Sequence, residues 1–249
     1  MKPSLAGLLL LFAILLPAPH AQADAPLPWD DAKQLVLVVV PGWDANTGTL
    51  RKFERTRHGW KAVDAAADIA IGHSGAAWGL GLHGQQTDGP QKVEGDGRSP
   101  AGVFALGDAF GYARGVRTKL PYLALTASQY CVDVNASPLY NRIVDAVEVG
   151  EEAVKDSTEP MRRDLHADGD QRYREGFVIR HNPDNVPGKG SCIFAHLWKA
   201  PGESTTGCTA MTPATMDRLL GWLAPKKHPV FVLLPQAEYE RLKGEWRLP

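Results

Sequence analysis

The chain has no run of like charge, no internal repeat, no low-complexity segment and only three cysteines. Its 27 basic and 28 acidic residues are interspersed and nearly cancel. Without a basic run there is no electrostatic footprint for nucleic acid. The apolar run at 5–16 falls short of the roughly 20 residues that a membrane span requires. Three is an odd number, so in an oxidising compartment at least one cysteine has no partner within the chain.

The compartment follows from the N-terminus. Lys2 precedes the apolar run, Pro17 and Pro19 break it, and Ala21-Gln22-Ala23 has the small-x-small form of a signal-peptidase site. Residues 1–23 are therefore expected to be an export signal, with an uncleaved N-terminal anchor as the alternative and no cysteine nearby to carry a lipid anchor. The rest, 24–249, is expected to be one soluble domain in the periplasm or outside the cell, long enough for a sizeable core. Its 25 glycines and 19 prolines are spread throughout, as in a β-rich fold with many loops.

The pattern supports mostly β structure, a sandwich or barrel with one or two packed helices. Residues 34–40 (QLVLVVV) read as a buried strand closed by Pro41-Gly42. The segment 49–55 returns as its partner, and 60–71 supplies another strand or two. A glycine-rich stretch, 72–97, reads as a long loop of the functional kind. Segments 176–182, 192–198 and 230–234 read as strands, and the charged 151–169 as an insertion or helix. Thr212 and Pro213 form a helix start, with Met216, Leu219, Leu220 and Leu223 on one apolar face and Pro225 beyond its end. Cys208 is thereby expected on the loop entering that helix.

Chemistry concentrates in 190–211, GSCIFAHLWKAPGESTTGCTAM. A cysteine attacks as thiolate, and a nearby helix start and a flexible Gly207 would favour that form and supply N–H donors to an oxyanion. His196 is the nearest histidine in sequence and the candidate base. Three other readings stand beside this one. Cys208 can be an inert buried residue, and His196 a satisfied core histidine. Cys192, His196, Cys208 and His181 can form a zinc site, although their spacing matches no usual paired-ligand pattern.

The motifs resemble those of the L,D-transpeptidase (YkuD-like) family, in an exported bacterial subgroup. His196 followed by Thr205-Thr206-Gly207-Cys208 is similar to that family's histidine and Ser/Thr-x-Gly-Cys signature, and Pro100-Ala101-Gly102-Val103-Phe104 to its upstream Pro-x-Gly-x-Phe element. The resemblance covers most of 24–249. It implies Cys208 as nucleophile and His196 as base, with Thr205, Thr206 and Gly207 supporting an oxyanion-binding turn. The implied reaction is acyl transfer between peptidoglycan stem peptides through a thioester, giving 3–3 cross-links in cell-wall biogenesis, with no metal or organic cofactor. L,D-carboxypeptidase hydrolysis and a catalytically silent peptidoglycan-binding envelope protein are the alternatives. The chain departs from the family at Thr206, where a histidine is usual, and at Ala210, where an arginine or asparagine is usual. Arg180 or Arg98 is the candidate to replace that lost substrate contact, with a solvated or structural charge as the alternative. His181 is expected to orient His196 or line the cleft, or else to bond its own loop. With Cys208 as the free thiol, Cys131 and Cys192 remain as a disulfide pair, unless they are two buried residues that never meet.

Overall fold

The structure is a computed structural model that describes residues 25–166 and 169–249. The expected export signal lies outside these residues. Among them are thirteen strands: β1 (Gln34–Val40), β2 (Thr47–Thr56), β3 (Gly59–Ala70), β4 (Ala76–Trp78), β5 (Ser99–Gly111), β6 (Tyr122–Ala124), β7 (Gln129–Cys131), β8 (Ile143–Asp145), β9 (Glu159–Pro160), β10 (Glu175–Ile179), β11 (Phe194–Leu197), β12 (Thr209–Met211) and β13 (Val230–Pro235). The helices are α1 (Ala146–Val149), α2 (Arg163–His166), α3 (Pro213–Trp222) and α4 (Gln236–Leu242).

β1 is central because it is apolar on both faces, as a strand covered on both sides must be. It pairs antiparallel with β2 and parallel with β13. β2 and β3 form a long hairpin, so 60–71 is one strand rather than two. The main sheet runs β10-β11-β12-β3-β2-β1-β13-β5, and β5 also pairs with β10, which closes it into a barrel. β5 can do this because its thirteen residues serve different partners in turn: Gly102–Ala105 meet β13, and Leu106–Gly111 meet β10. A small second sheet, β8-β7-β9, lies beside the barrel. The charged 151–169 segment contributes β9, a 3₁₀ turn and α2.

Helix α3 begins as its residues dictate. The Thr215 N–H donates to Thr212 Oγ1 at 3.1 Å, capping the first turn, and Pro213 occupies a position where an N–H would have no partner. Met216, Leu219, Leu220 and Leu223 are buried in the barrel core with Val36, Val38 and Phe231. One expectation is corrected here. Cys208 does not lie on the loop entering α3, because β12 intervenes and pairs with β11. The helix start therefore lies a strand away from the thiol.

Gly102 has a concrete reason to be glycine. Its φ is +136°, and a Cβ there would come within 1.9 Å of the His83 ring. That ring accepts the Val103 N–H at Nδ1, 3.1 Å away, and packs edge-on against Phe104. The motif glycine thus lets β5 press against a histidine that satisfies the next residue's backbone. Gly102→Ala should lower unfolding free energy by about 1–3 kcal/mol from backbone conformation alone, and by more once His83 is displaced, as measured by urea denaturation.

Candidate active site around Cys208

Pleating and register together build the site. β11 and β12 lie parallel, with Ala195 opposite Thr209 and His196 opposite Ala210. Cys208, one residue before β12, therefore falls beside Phe194, whose N–H points at Sγ from 3.3 Å. Side chains alternate along a strand. Ala195, Leu197 and Met211 enter the barrel core, while Phe194 and Cys208 join a separate cluster with Phe110, Tyr173 and Cys192. His196 shares that outer face, its ring edge-on to Tyr173 at 5.4 Å between centroids. Cys208 and His196 are thus on one face of the sheet, a single pleat apart.

Burial sets both protonation states. The Cys208 S–H donates to Cys192 O at 3.4 Å. Burial, followed by the negative charge of Glu159, pushes the thiol up to about 12, so it rests protonated at neutral pH. His196 Nδ1 lies 2.6 Å from Leu197 O. A carbonyl can only accept, so Nδ1 carries the proton and Nε2 offers the lone pair. Burial pulls His196 down to about 4, which keeps the ring neutral. The resting pair is therefore an uncharged thiol and an uncharged base, and among the described residues no hydrogen bond joins them.

The turn ahead of the thiol is held by two hydroxyls. Thr205 Oγ1 accepts the Gly207 N–H at 3.1 Å and donates to Cys208 O at 2.7 Å. Ser99 Oγ donates to Gly207 O at 2.6 Å and accepts the Gly72 N–H at 2.9 Å. Ser99 opens β5, is fully buried and lies 3.0 Å from Cys208 O as well. It was not singled out in the sequence, although a serine set against the Pro-x-Gly-x-Phe element was the available signal. The Gly207 N–H, expected at an oxyanion site, is engaged by Thr205 Oγ1. Among the described residues, Cys208's own N–H, adjacent to the thiol, makes no hydrogen bond. Gly207 is buried, and a Cβ there would sit 3.3 Å from both Arg98 O and Ile193 Cδ1.

Cys208 lines a cleft of about 420 Å³, with Thr206, Ile193, His73, Glu94, Asp133 and Glu159 on its walls. A larger groove of about 1100 Å³ runs past Leu37, Thr49, Phe53, Trp198 and Tyr239, and contains neither Cys208 nor His196. Cys192 and Gly207 line the Cys208 cleft too, whereas His196 and Thr205 are not among its lining residues, and Arg98, Arg180 and His181 lie apart from it. Arg98 donates to Trp43 O and Ala76 O and pairs with Asp44 at 2.7 Å, a structural clasp. Arg180 is exposed beside Leu106 and lines a different groove. His181 is buried, accepting the Leu80 N–H at Nδ1 and donating from Nε2 to Lys189 O. It bonds its own loop, and Leu197 O, not His181, orients His196. Cys131 and Cys192 form a disulfide, which takes Cys192 out of the zinc set, and Cys208 is free. Among the described residues, no group of three or more His, Cys, Asp or Glu is placed to hold a metal. Ala210 is fully buried opposite both His196 and Ala70, so a long polar side chain there would have no room.

Compared with known proteins, the chain matches no family model, no curated protein and no solved structure.

Two outcomes follow from this geometry. Ser99→Ala strands a buried carbonyl and N–H, at a cost of about 1–3 kcal/mol, and loosens the Cys208 turn. Urea denaturation and the alkylation rate of Cys208 should both register it, while Ser99→Thr restores part of each. His181 and His196, both held neutral down to about pH 4, protonate near pH 6.5 once unfolded. Their contribution is therefore complete above pH 6.5 and is lost as pH falls toward 4. Unfolding free energies measured across that range should decline, and less steeply in His196→Gln.

Proposed function

We propose that the protein is a cysteine acyltransferase of the L,D-transpeptidase type, acting on peptidoglycan stem peptides after export. One observation carries this reading: a free thiol at a cleft, one pleat from an imidazole whose Nε2 is unprotonated. The Thr-x-Gly-Cys and Pro-x-Gly-x-Phe elements, and a mostly β barrel with Cys208 set by a strand, support it.

The chemistry follows from the two neutral groups. As Sγ attacks a stem-peptide carbonyl carbon, the thiol proton passes to His196 Nε2, so a free thiolate never has to form ahead of attack. The Leu197 carbonyl faces the positive charge that then develops on the ring. The Cys208 N–H stabilises the oxyanion. Collapse of the tetrahedral adduct breaks the C–N bond, and His196 returns the proton to the leaving amine. The amine of a second stem attacks the thioester and gives a proton to His196; the C–S bond breaks, and His196 passes that proton to the departing sulfur, which restores the thiol. Catalytic hydrogen bonds often tighten only when substrate binds, and this reading requires the Sγ–His196 contact to form in that way.

The same missing contact favours a second reading, a binding protein that keeps the fold without turnover. The experiment that separates them is incubation of the protein lacking residues 1–23 with defined muropeptides, with products read by mass. Cross-linked dimers support transfer, trimmed stems alone support hydrolysis, and unchanged muropeptides support binding. Cys208→Ala should remove turnover by about 10⁴-fold or more with the melting temperature nearly unchanged, and His196→Ala by about 10³-fold with a lowered melting temperature, because it strands Leu197 O and leaves a gap beside Tyr173. A carbapenem should leave a mass adduct on Cys208, and its absence at high excess would favour the binding protein.

A further inference from the structure

The Cys208 sulfur sits between two backbone groups of the chain entering β11. It accepts the Phe194 N–H at 3.3 Å and donates its own proton to Cys192 O at 3.4 Å. These partners act in opposite directions. An N–H aimed at sulfur favours the thiolate, whereas a carbonyl that takes the S–H proton favours the thiol. Phe194 is held by its pairing with Val178 in the β10–β11 ladder. Cys192 lies ahead of that ladder, so other contacts must fix where its carbonyl points.

Two tethers do so, and both come from the β7–β8 hairpin. Cys131, the last residue of β7, anchors the Cys192 side chain through the disulfide. Asn141, just before β8, anchors its backbone, with Oδ1 accepting the Cys192 N–H at 2.9 Å. The Cys192 φ of +58° lies in the left-handed region, which a non-glycine residue keeps only where its surroundings impose it. The Asn141 amide is fully used. Its Nδ2 donates to His181 O at 3.2 Å and to Asn182 O at 3.0 Å, so the side chain cannot turn away without losing three bonds. Its own N–H donates to Val132 O at 2.7 Å, next to Cys131.

We propose that Asn141 is a positioning residue for Cys208: acting through Cys192, it holds the carbonyl that takes the thiol proton, and so sets the resting direction of the S–H and the ease with which the sulfur reacts. The inference rests on the reading of Cys208 as the nucleophile and adds the residue that governs its resting state. For attack the proton must leave Cys192 O for His196 Nε2, and the hold of Asn141 on Cys192 opposes that turn. No bond is made or broken at Asn141 itself.

A purely structural staple is the competing role, because Asn141 also joins residues 181–182 to Cys192. Two substitutions separate the roles. Asn141→Gly removes all three side-chain bonds and adopts the native φ of +61° without strain. Asn141→Asp has the same shape and keeps an acceptor for the Cys192 N–H, but its carboxylate has no donor for His181 O and Asn182 O. A staple is lost in both variants, whereas the hold on Cys192 is lost only in Asn141→Gly.

The S–H stretch in the Raman spectrum of the oxidised protein reads the bond directly. Cys208 is the one free thiol, and Cys208→Ala assigns the band. The native band should lie below that of a thiol dissolved in an apolar solvent. It should move up in Asn141→Gly and stay in place in Asn141→Asp. Iodoacetamide should alkylate Cys208 at pH 8 about threefold faster in Asn141→Gly, as expected for loss of one bond from a weak S–H donor, and no faster than native in Asn141→Asp. Should the glycine variant not fold, Asn141→Ser, whose hydroxyl stops about one bond short of the Cys192 N–H, takes its place. A native band at the unbonded position, a band unmoved in Asn141→Gly, equal movement in both variants, or no gain in alkylation rate would each overturn the proposal. Neither readout needs a peptidoglycan substrate, so its failure and the failure of the proposed function are distinguishable.

Discussion

The parallel pairing of two short strands, β11 and β12, is the constraint on which the site depends. Their register puts His196 opposite Ala210 and so places Cys208 beside Phe194, on the same outer face as His196. A shift of one residue would turn Cys208 into the barrel core and Met211 out of it, because side chains alternate with a period of two. The fold resists that shift from both sides. Ala195, Leu197 and Met211 fill the interior, while Phe194, Tyr173 and the disulfide fill the outer layer. Packing a core and aligning a thiol with a base are here one requirement.

The same burial that locks the register determines the chemistry. An apolar niche penalises charge, so the thiol keeps its proton and the imidazole stays without a second one. Such a pair cannot rest as a thiolate–imidazolium ion pair. Its reactivity must come from proton transfer during attack, with Nε2 unprotonated because Leu197 O holds the other ring nitrogen. The small sheet adds a second layer of control. It brings Glu159 to the wall of the cleft and, through the bond from Cys131, tethers Cys192, whose carbonyl accepts the thiol proton.

Much of this was legible residue by residue. The apolar, β-branched run at 34–40 reads as a buried strand, and β1 is one. Thr212 and Pro213 marked a helix start through their capping chemistry, and Met216 to Leu223 marked the buried side. The odd cysteine count required at least one cysteine without a partner in the chain. Other features could not be read this way, because they depend on residues distant in sequence. Ser99 reaches Gly207 across more than a hundred residues, and Glu159 meets Tyr173 and faces Cys131 only through β9 and β7. Arg98 and His181 are charged or titratable groups near the motifs, yet backbone carbonyls and a loop engage them.

The sequence by itself determined the local facts: which segments are apolar enough to be strands, where α3 starts, and which residues have the chemistry of a nucleophile and a base. Those follow from side-chain composition and from periods of two and 3.6, which need no distant partner. Only the tertiary structure decided which strands pair, that β5 closes the sheet on β10, that Cys131 meets Cys192, and that Cys208 rests a pleat from His196 as a neutral thiol. Register and burial are collective properties of packed elements, and protonation states follow from them rather than from any residue alone.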